Sequence, residues 1–384
     1  MKIKEIKIYY IKSKSINNKY PIPSFFKEGF VFIKLTSCDQ IEGYGEPSPY
    51  LLAPKKLLNL IQEIFNNYFK DKEIDILFTS RLKKKISNNF FATVLPAFDQ
   101  AIYDISAKMK KISVSKLIAG NIKSKKLQFY ASGGMLFEHQ HYDLILNDVL
   151  EAKEKGYFGY KFRPKLPSKL LSHSQRMKNP PYIDIKQLEQ FSKKLRLKIG
   201  NKFKIMIDLG CRCKSLNEAN YLLELFEDLN FFFVEEPFIR KINHYKKINK
   251  FSSKALIALG EHVENYHQFR DWKRNNCFNF FQPDTNLLLY NEIDRIYKSL
   301  GSKKIILHNW CNKVNFLSNI SFAFSLNNSI LIEKNMLKNP FDELFNIEGV
   351  NIKEANVLYK DTYGFGISLN EKKLKNYEFY EKKI

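Results

Sequence analysis

Six chargeable residues recur at nearly constant spacing in the second half of the chain. They are Asp208, Glu235, Glu261, Asp284, His308 and Glu333, separated by 27, 26, 23, 24 and 25 residues. Each lies at or just past the end of a short apolar run. A repeat of this length is one strand plus one helix, and the C-terminal ends of parallel barrel strands all open on the same face. The spacing therefore predicts that the six side chains meet at one site.

The first three of these residues are carboxylates on successive predicted strands. Asp208, Glu235 and Glu261 offer only oxygen ligands, which suits Mg²⁺, with Mn²⁺ as a substitute. A single carboxylate at a strand end is more often a cap or a surface charge. Three in phase would repel one another at close range unless a cation neutralised them, so we expect a metal site.

The other three residues suggest proton transfer and substrate binding. Asp284 could hold one imidazole nitrogen of His308, which fixes the tautomer and leaves the other nitrogen free to move a proton. In isolation His308 would more often be a structural histidine. Glu333 could hydrogen bond to a substrate if protonated, position it otherwise, or form a salt bridge.

The apolar runs are mostly continuous, as expected for strands buried on both faces. They cover residues 127–131, 157–162, 205–207, 231–234, 256–259, 278–281, 305–307 and 330–332. Amphipathic helical patterns lie between them, for example at 217–229 and 291–300. The second run ends with Lys161 and Arg163, and the 45 residues from Arg163 to Asp208 predict a long loop over the barrel mouth, at about 164–182. Its alternative is a disordered insertion without function. Alternating strands and helices predict an α/β barrel with a parallel sheet.

The N-terminal third has a different pattern. Residues 3–11, 29–36 and 40–44 predict antiparallel strands, 43–46 a turn, and 56–69 and 95–109 helices. We therefore expect an α+β domain over 1–125 and a barrel over 126–349. Strand-like patterns at 357–359 and 364–369 suggest that segment 350–384 returns to the first domain.

Composition limits the classes of function. The chain has 384 residues, a hydrophobic fraction of 44% and a net charge of +23. Its lysines are spread over the whole length, so nucleic-acid binding is not expected. No apolar stretch is long enough for a membrane span, and no signal sequence is evident, so a cytoplasmic protein is expected. The five scattered cysteines predict neither disulfides nor a zinc site.

Short phrases in this order resemble the enolase superfamily, and the predicted acid–histidine pair is nearest its mandelate racemase branch. The barrel phrases are Ile207-Asp208, Val234-Glu235-Glu236-Pro237, Gly260-Glu261-His262, Gln282-Pro283-Asp284 and Leu307-His308. The outer phrases are the segment 43–49 (Gly-Tyr-Gly-Glu-Pro-Ser-Pro), 97–120, 339–341 and 364–367. The resemblance covers nearly the whole chain and implies a modified TIM barrel, (β/α)7β, with an N-terminal α+β capping domain.

The resemblance also implies a mechanism and a set of roles. In such enzymes a carboxylate substrate binds Mg²⁺, a base removes the proton α to the carboxylate, and the metal stabilises the enediolate. By this resemblance Asp208, Glu235 and Glu261 bind metal, His308 and Asp284 transfer protons, and Glu333 contacts the substrate. Lys161 and Arg163 fall on the paired basic positions of the second strand. A small carboxylate substrate and a homo-oligomer are also implied.

Two positions depart from the family pattern. Arg163 stands where a lysine base is usual, and arginine is a poor proton acceptor. Gly210 stands where asparagine is frequent. A racemase needs bases on both faces of its substrate, so we expect instead a dehydratase that converts aldonic or aldaric acids to 2-keto-3-deoxy acids. Racemisation or epimerisation of a 2-hydroxy acid, with Lys161 as the second base, is the first alternative; a non-catalytic binding protein is the second.

Overall fold

The structure is a computed structural model that describes residues 1–14, 29–49, 52–86, 93–133, 142–164, 182–251, 256–327 and 331–384. The predicted mouth loop at 164–182 lies almost entirely outside these residues. The segment 16–26 also lies outside them; its sequence predicts a loop of the first domain that influences the choice of substrate.

Eight parallel strands form a closed barrel. They are β4 (Lys126–Ser132), β5 (Gly159–Phe162), β6 (Lys204–Asp208), β7 (Phe233–Glu235), β8 (Ile257–Leu259), β9 (Phe280–Phe281), β10 (Lys304–Leu307) and β11 (Leu331–Asn335). Neighbours in sequence pair with one another, and β11 pairs with β4 to close the ring. The structure thus confirms the predicted modified TIM barrel, with each apolar run on or beside its strand.

The helices between these strands cover the outside of the barrel. They are Tyr142–Glu154, Ile185–Ile199, Leu216–Asp228, Ile242–Phe251, Tyr266–Arg274, Tyr290–Ser299 and Lys313–Phe324. Side chains of six strands fill the interior, namely Tyr130, Met206, Phe233, Ala258, Phe280 and Ile306. Within the described residues, no helix is both long and apolar enough to cross a bilayer.

A four-stranded antiparallel sheet lies outside the barrel. Its strands are β1 (Ile3–Ser13), β2 (Phe30–Ser37), β3 (Glu42–Gly45) and β16 (Tyr377–Lys383), in the order β16-β1-β2-β3. The accompanying helices are Pro54–Ile64, continued by a π-helical turn at Phe65–Phe69, then Phe78–Lys85, Leu95–Met109 and Val114–Ala119. This sheet and these helices are the extra layer expected for a capping domain.

The predicted turn at 43–46 is wrong, because residues 43–45 belong to strand β3. The glycines serve close packing instead. A Cβ atom on Gly43 would lie 2.2 Å from the carbonyl oxygen of Ala101, and one on Gly45 would lie 1.8 Å from that of Ala97. Only glycine lets β3 lie directly on helix Leu95–Met109.

The C-terminal segment is divided between the two parts of the molecule. Strand β16 joins the N-terminal sheet, as expected. A hairpin of β13 (Val350–Lys353) and β14 (Asn356–Tyr359) instead pairs with barrel strand β4, which corrects the predicted placement of 357–359. The remaining strands, β12 (Phe345–Ile347) and β15 (Ile367–Leu369), pair with each other, and the short helix Glu371–Leu374 follows.

Candidate active site

Parallel pairing brings the repeated polar residues to one end of the barrel. Asp208 and Glu235 are direct partners on β6 and β7, and Glu261 lies two residues beyond the end of β8. Asp284 and His308 follow the ends of β9 and β10, and Glu333 lies in the middle of β11. All six are less than 9% exposed, so their charges interact in a largely water-free mouth.

The backbone is strained immediately after the second carboxylate. Glu236 has a φ angle of 44°, a left-handed conformation that costs a non-glycine residue about 1–3 kcal/mol. Glu235 accepts a bond from Lys161, and both carboxylate oxygens of Glu236 accept bonds from Arg240. Consecutive side chains of a regular strand point to opposite faces. We therefore attribute the presence of both glutamates at the mouth to the left-handed backbone conformation of Glu236.

Each basic residue of the second strand pairs with a predicted metal ligand. A guanidinium nitrogen of Arg163 contacts Asp208 Oδ2. Lys161 Nζ lies 2.6 Å from Glu235 Oε2 and 2.8 Å from Glu333 Oε1. Burial alone would lower the pKa of both cations, but the neighbouring carboxylates raise each pKa above its ordinary value. These carboxylates therefore favour the protonated form of both residues, which argues against either one as the base.

His308 and Asp284 form the expected pair. His308 Nδ1 lies 2.8 Å from Asp284 Oδ2, and Nε2 lies 3.3 Å from Glu261 Oε2. Burial would lower the pKa of His308, but the bond to Asp284 and the charges of Glu261 and Glu333 raise it to about 9. Asp284 thus holds one nitrogen, and the other faces the third predicted metal ligand.

Several donors hold Glu333. Lys161 and Trp310 Nε1 contact its Oε1 atom, the latter at 2.7 Å, and Asn309 N donates to Oε2 at 3.4 Å. Burial would raise the pKa of Glu333, but Lys161 and His308 lower it below its ordinary value. An ionised Glu333 accepts hydrogen bonds, so the geometry does not favour the alternative in which it donates one.

The predicted metal ligands do not form a compact group. Within the described part of the chain, one group of three potential ligands has all its ligand atoms within 4.8 Å of one another, and it consists of Glu236, Glu261 and His262. Asp208 and Glu235 lie outside that group, where they pair with Arg163 and Lys161. The assignment of Asp208, Glu235 and Glu261 as metal ligands therefore stays a prediction.

Two observations fit a divalent cation at this site. Glu235 Oε1 is buried without a hydrogen-bond partner, and burial raises the pKa of Glu235 well above its ordinary value. Among the described residues, six buried acidic groups of the site pair with three permanent cations, Lys161, Arg163 and Arg240, so the acidic groups outnumber these cations by three. These six are Asp208, Glu235, Glu236, Glu261, Asp284 and Glu333. A hard divalent cation would offset most of that excess.

Several contacts in the site had not been predicted. Arg240 binds Glu236 with two nitrogens and lies 3.8 Å from Glu261; His262 Nε2 lies 3.0 Å from Glu261. Gln282 Nε2 donates to Glu235 Oε2 at 2.8 Å. Glu236, His262 and Gln282 are adjacent or close in sequence to predicted site residues, which was the available signal. Arg240 had no signal, since its position depends on the loop conformation after β7.

Position 210 keeps the contact to the first carboxylate. Gly210 has a φ angle of 54°, and its backbone N–H donates to Asp208 Oδ1 at 2.8 Å. A backbone group therefore orients Asp208 at a position where the resemblance led us to expect a side-chain amide.

A family model described as enolase C-terminal domain-like matches residues 146–373. The chain belongs to this family. The match includes all of the polar residues repeated along the barrel, Lys161 of β5 and Arg163 just after it. It confirms the resemblance to the enolase superfamily.

Curated relatives of this enolase-like chain include two that are named as dehydratases or members of a dehydratase family. The D-gluconate dehydratase of Thermoproteus tenax is 24% identical over 263 residues, which are 66% of this chain and 50% of that protein. The D-galactonate dehydratase family member RspA of Cellvibrio japonicus (strain Ueda107) is 22% identical over 206 residues, 50% of each. The match thus spans about half the length of these relatives.

Solved structures share the whole fold of this family member. One is an enolase from environmental shotgun sequencing of the Sargasso Sea, with a TM-score of 0.85 and 21% identity. The match covers 100% of this chain and 98% of that one. At this identity the likeness shows the fold alone.

Proposed function

We propose that this protein is a Mg²⁺-dependent dehydratase of a sugar acid, which forms a 2-keto-3-deoxy acid from an aldonic or aldaric substrate. The observation that carries the proposal is how the two basic residues at the end of the second barrel strand, β5, pair with carboxylates. Lys161 is bound to two carboxylates, and Arg163 is bound to Asp208. Because neither can accept a proton readily, His308 is left as the base of a one-base elimination.

The residues of the site would take the following roles in the reaction. His308 Nε2 takes the proton α to the carboxylate, while Asp284 stabilises the resulting imidazolium through Nδ1. His308 then returns the proton to the β hydroxyl, the C–O bond breaks, and water leaves. The enol product then tautomerises to the keto acid. Lys161 and Arg163 bind the substrate carboxylate.

Asp208, Glu235 and Glu261 would hold the metal, which supplies positive charge beside the developing enediolate. At a pKa of about 9, His308 is mostly protonated at pH 7. Neutralisation of Glu261, 3.3 Å from Nε2, would lower that pKa and increase the fraction of the base form.

The comparisons support the proposal at a coarser level. The names of the two curated relatives refer to dehydratases of acid sugars. We also propose a homo-oligomer located in the cytoplasm that binds no nucleic acid.

Proton NMR in D₂O would test this function. The protein with Mg²⁺ is incubated with a panel of aldonic and aldaric acids, and we expect a 2-keto product from at least one. His308→Gln should abolish product formation. His267→Gln, which alters an exposed histidine of helix Tyr266–Arg274, is the matched control and should leave the rate unchanged.

The two alternatives give different results in the same experiment. Exchange of the α proton without a keto product would indicate racemisation or epimerisation. A complete panel with neither exchange nor product would contradict both reactions and favour a binding protein.

A further inference from the structure

A buried hydrogen-bond chain connects the N-terminal part of the molecule with the Asp284–His308 pair. Its members are Glu46 and Gln100, from the N-terminal part, and Thr285, Asn315, Asn319 and Asp284, from the barrel. All are at most 1% exposed. In such an environment each donor needs an acceptor. Which group donates in one hydrogen bond therefore restricts which group can donate in the next.

Backbone groups fix the orientation of the Gln100 amide. Its Oε1 atom accepts from the N–H of Glu46 at 2.8 Å, and its Nε2 atom donates to the carbonyl oxygen of Thr285 at 2.9 Å. A backbone N–H can only donate and a carbonyl can only accept, so the opposite amide orientation would lose both bonds.

The fixed Gln100 amide in turn orients Asn315. Gln100 Nε2 donates to Asn315 Oδ1 at 3.0 Å, and Thr285 Oγ1 donates to the same oxygen at 2.9 Å. The amide nitrogen of Asn315 is thereby directed to Asp284, where Nδ2 lies 2.8 Å from Oδ1.

Asp284 Oδ1 accepts two further bonds. Asn319 Nδ2, one helical turn after Asn315, donates at 3.0 Å, and the N–H of Asn286 donates at 3.2 Å. Three donors therefore occupy one oxygen of Asp284, and the other, Oδ2, contacts His308 Nδ1 at 2.8 Å. The orientation of the carboxylate follows from this division.

We propose that Asn315 is a positioning residue of the Asp284–His308 pair and that Gln100 sets its amide orientation. The N-terminal part of the chain then controls proton transfer in the barrel without touching the reacting atoms. For its kinetic consequence this inference rests on the proposed function. Its structural consequence, the hydrogen bond at His308 Nδ1, does not.

Two isosteric variants test the chain of bonds. Asn315→Leu removes the donor to Asp284, and Gln100→Met removes the group that orients Asn315. We expect each to lower kcat about 10–100-fold, by analogy with the loss of hydrogen-bond partners that orient metal-ligating histidines, with KM changed less than threefold. Ser325→Ala is the control, because it removes a buried bond at the end of the same helix, Lys313–Phe324, from Ser325 Oγ to the carbonyl oxygen of Phe322 at 2.6 Å, and neither residue belongs to the chain of bonds.

The double variant distinguishes positioning from general destabilisation. If Gln100 acts through Asn315, adding Gln100→Met to Asn315→Leu lowers kcat by no further factor. The proposal would be overturned if the decreases in kcat of the two single variants multiplied in the double variant. It would also be overturned if the single variants had wild-type kcat.

A spectroscopic readout separates this inference from the proposed function. In protein labelled with ¹⁵N-histidine, His308 is assigned by the signal lost in His308→Gln. We expect the His308 Nδ1 shift to change in Asn315→Leu and in Gln100→Met, but to stay constant in Ser325→Ala. Identical His308 shifts in all four proteins would refute the inference, whether or not the wild-type protein dehydrates any acid. If no substrate gave a keto product but the His308 shifts changed as expected, the proposed function would be refuted and this inference would stand.

Discussion

At the scale of single residues, Arg163 is the position that distinguishes this site. Its guanidinium lies where a lysine is usual in the family and contacts Asp208, a predicted metal ligand. The side chain is 24% exposed, and the charges of Asp208, Glu261 and Glu235 act on it. If Asp208 binds a divalent ion as predicted, a permanent cation in this place would compete with that ion for the carboxylate.

Arg163→Met should therefore increase metal affinity. It removes the charge and keeps a chain of similar shape, and we expect Mn²⁺ to bind about tenfold more tightly, since like charges repel in this largely water-free mouth. Isothermal titration calorimetry measures the change. Lys241→Met, at an exposed cation beside Arg240, is the control and should have little effect. Equal or weaker Mn²⁺ binding by Arg163→Met would show that arginine does not oppose the metal.

At the scale of secondary-structure elements, the contact between β3 and helix Leu95–Met109 joins the N-terminal sheet to its helices. Gly45 has no positive φ angle, so glycine is needed there only because a Cβ atom would collide with the helix. Gly301 has a φ angle of 67° and open surroundings. The two glycines therefore separate the effect of packing from that of backbone conformation.

Alanine at these two positions should give different losses of stability. Gly45→Ala should lower the free energy of unfolding by about 3 kcal/mol or more, because the strand must move away from the helix. Gly301→Ala should lower it by roughly 1–2 kcal/mol, the cost of a left-handed alanine. Urea unfolding followed by circular dichroism measures both. A smaller loss for Gly45→Ala than for Gly301→Ala would contradict the packing role.

The barrel elements could be predicted because continuous apolar runs and amphipathic stretches each leave a local pattern. The convergence of Asp208, Glu235, Glu261, Asp284, His308 and Glu333 followed from the period of that pattern. The contacts of Lys161 and Arg163 could not be predicted, since side-chain pairing across strands depends on three-dimensional distances. The hairpin on β4 was missed for a similar reason: a short strand does not specify its partner.

At the scale of the whole molecule, buried acids join the N-terminal part to the barrel. Asp99, on helix Leu95–Met109, accepts bonds from Thr79 and from the N–H of Tyr290, the latter at 2.9 Å. Burial raises the pKa of Asp99 to about 7, and the charge of Glu292 contributes. Glu46, whose pKa burial likewise raises to about 7, accepts bonds from the start of helix Lys313–Phe324.

The raised pKa of Asp99 sets the sign of a pH effect. A folded state that holds a proton more tightly than the unfolded chain loses stability as the pH rises, here between about 4 and 7 and by at most about 1.4 kcal/mol per pH unit. The amide introduced by Asp99→Asn does not titrate. The free energy of unfolding of this variant should therefore increase relative to wild type from pH 4.5 to 7.5, as measured by urea unfolding at several pH values. Parallel curves for the two proteins would show that Asp99 does not titrate in this range.

The sheet order β16-β1-β2-β3 has a consequence for synthesis of the chain. Lys7 on β1 pairs with Lys383 on β16, so one edge of β1 stays without its native partner until the ribosome has translated the whole barrel and then β16. An open edge can pair with other chains. Polypeptides truncated before residue 377 should therefore aggregate through β1, and the nascent chain depends on that edge being shielded until β16 has been made.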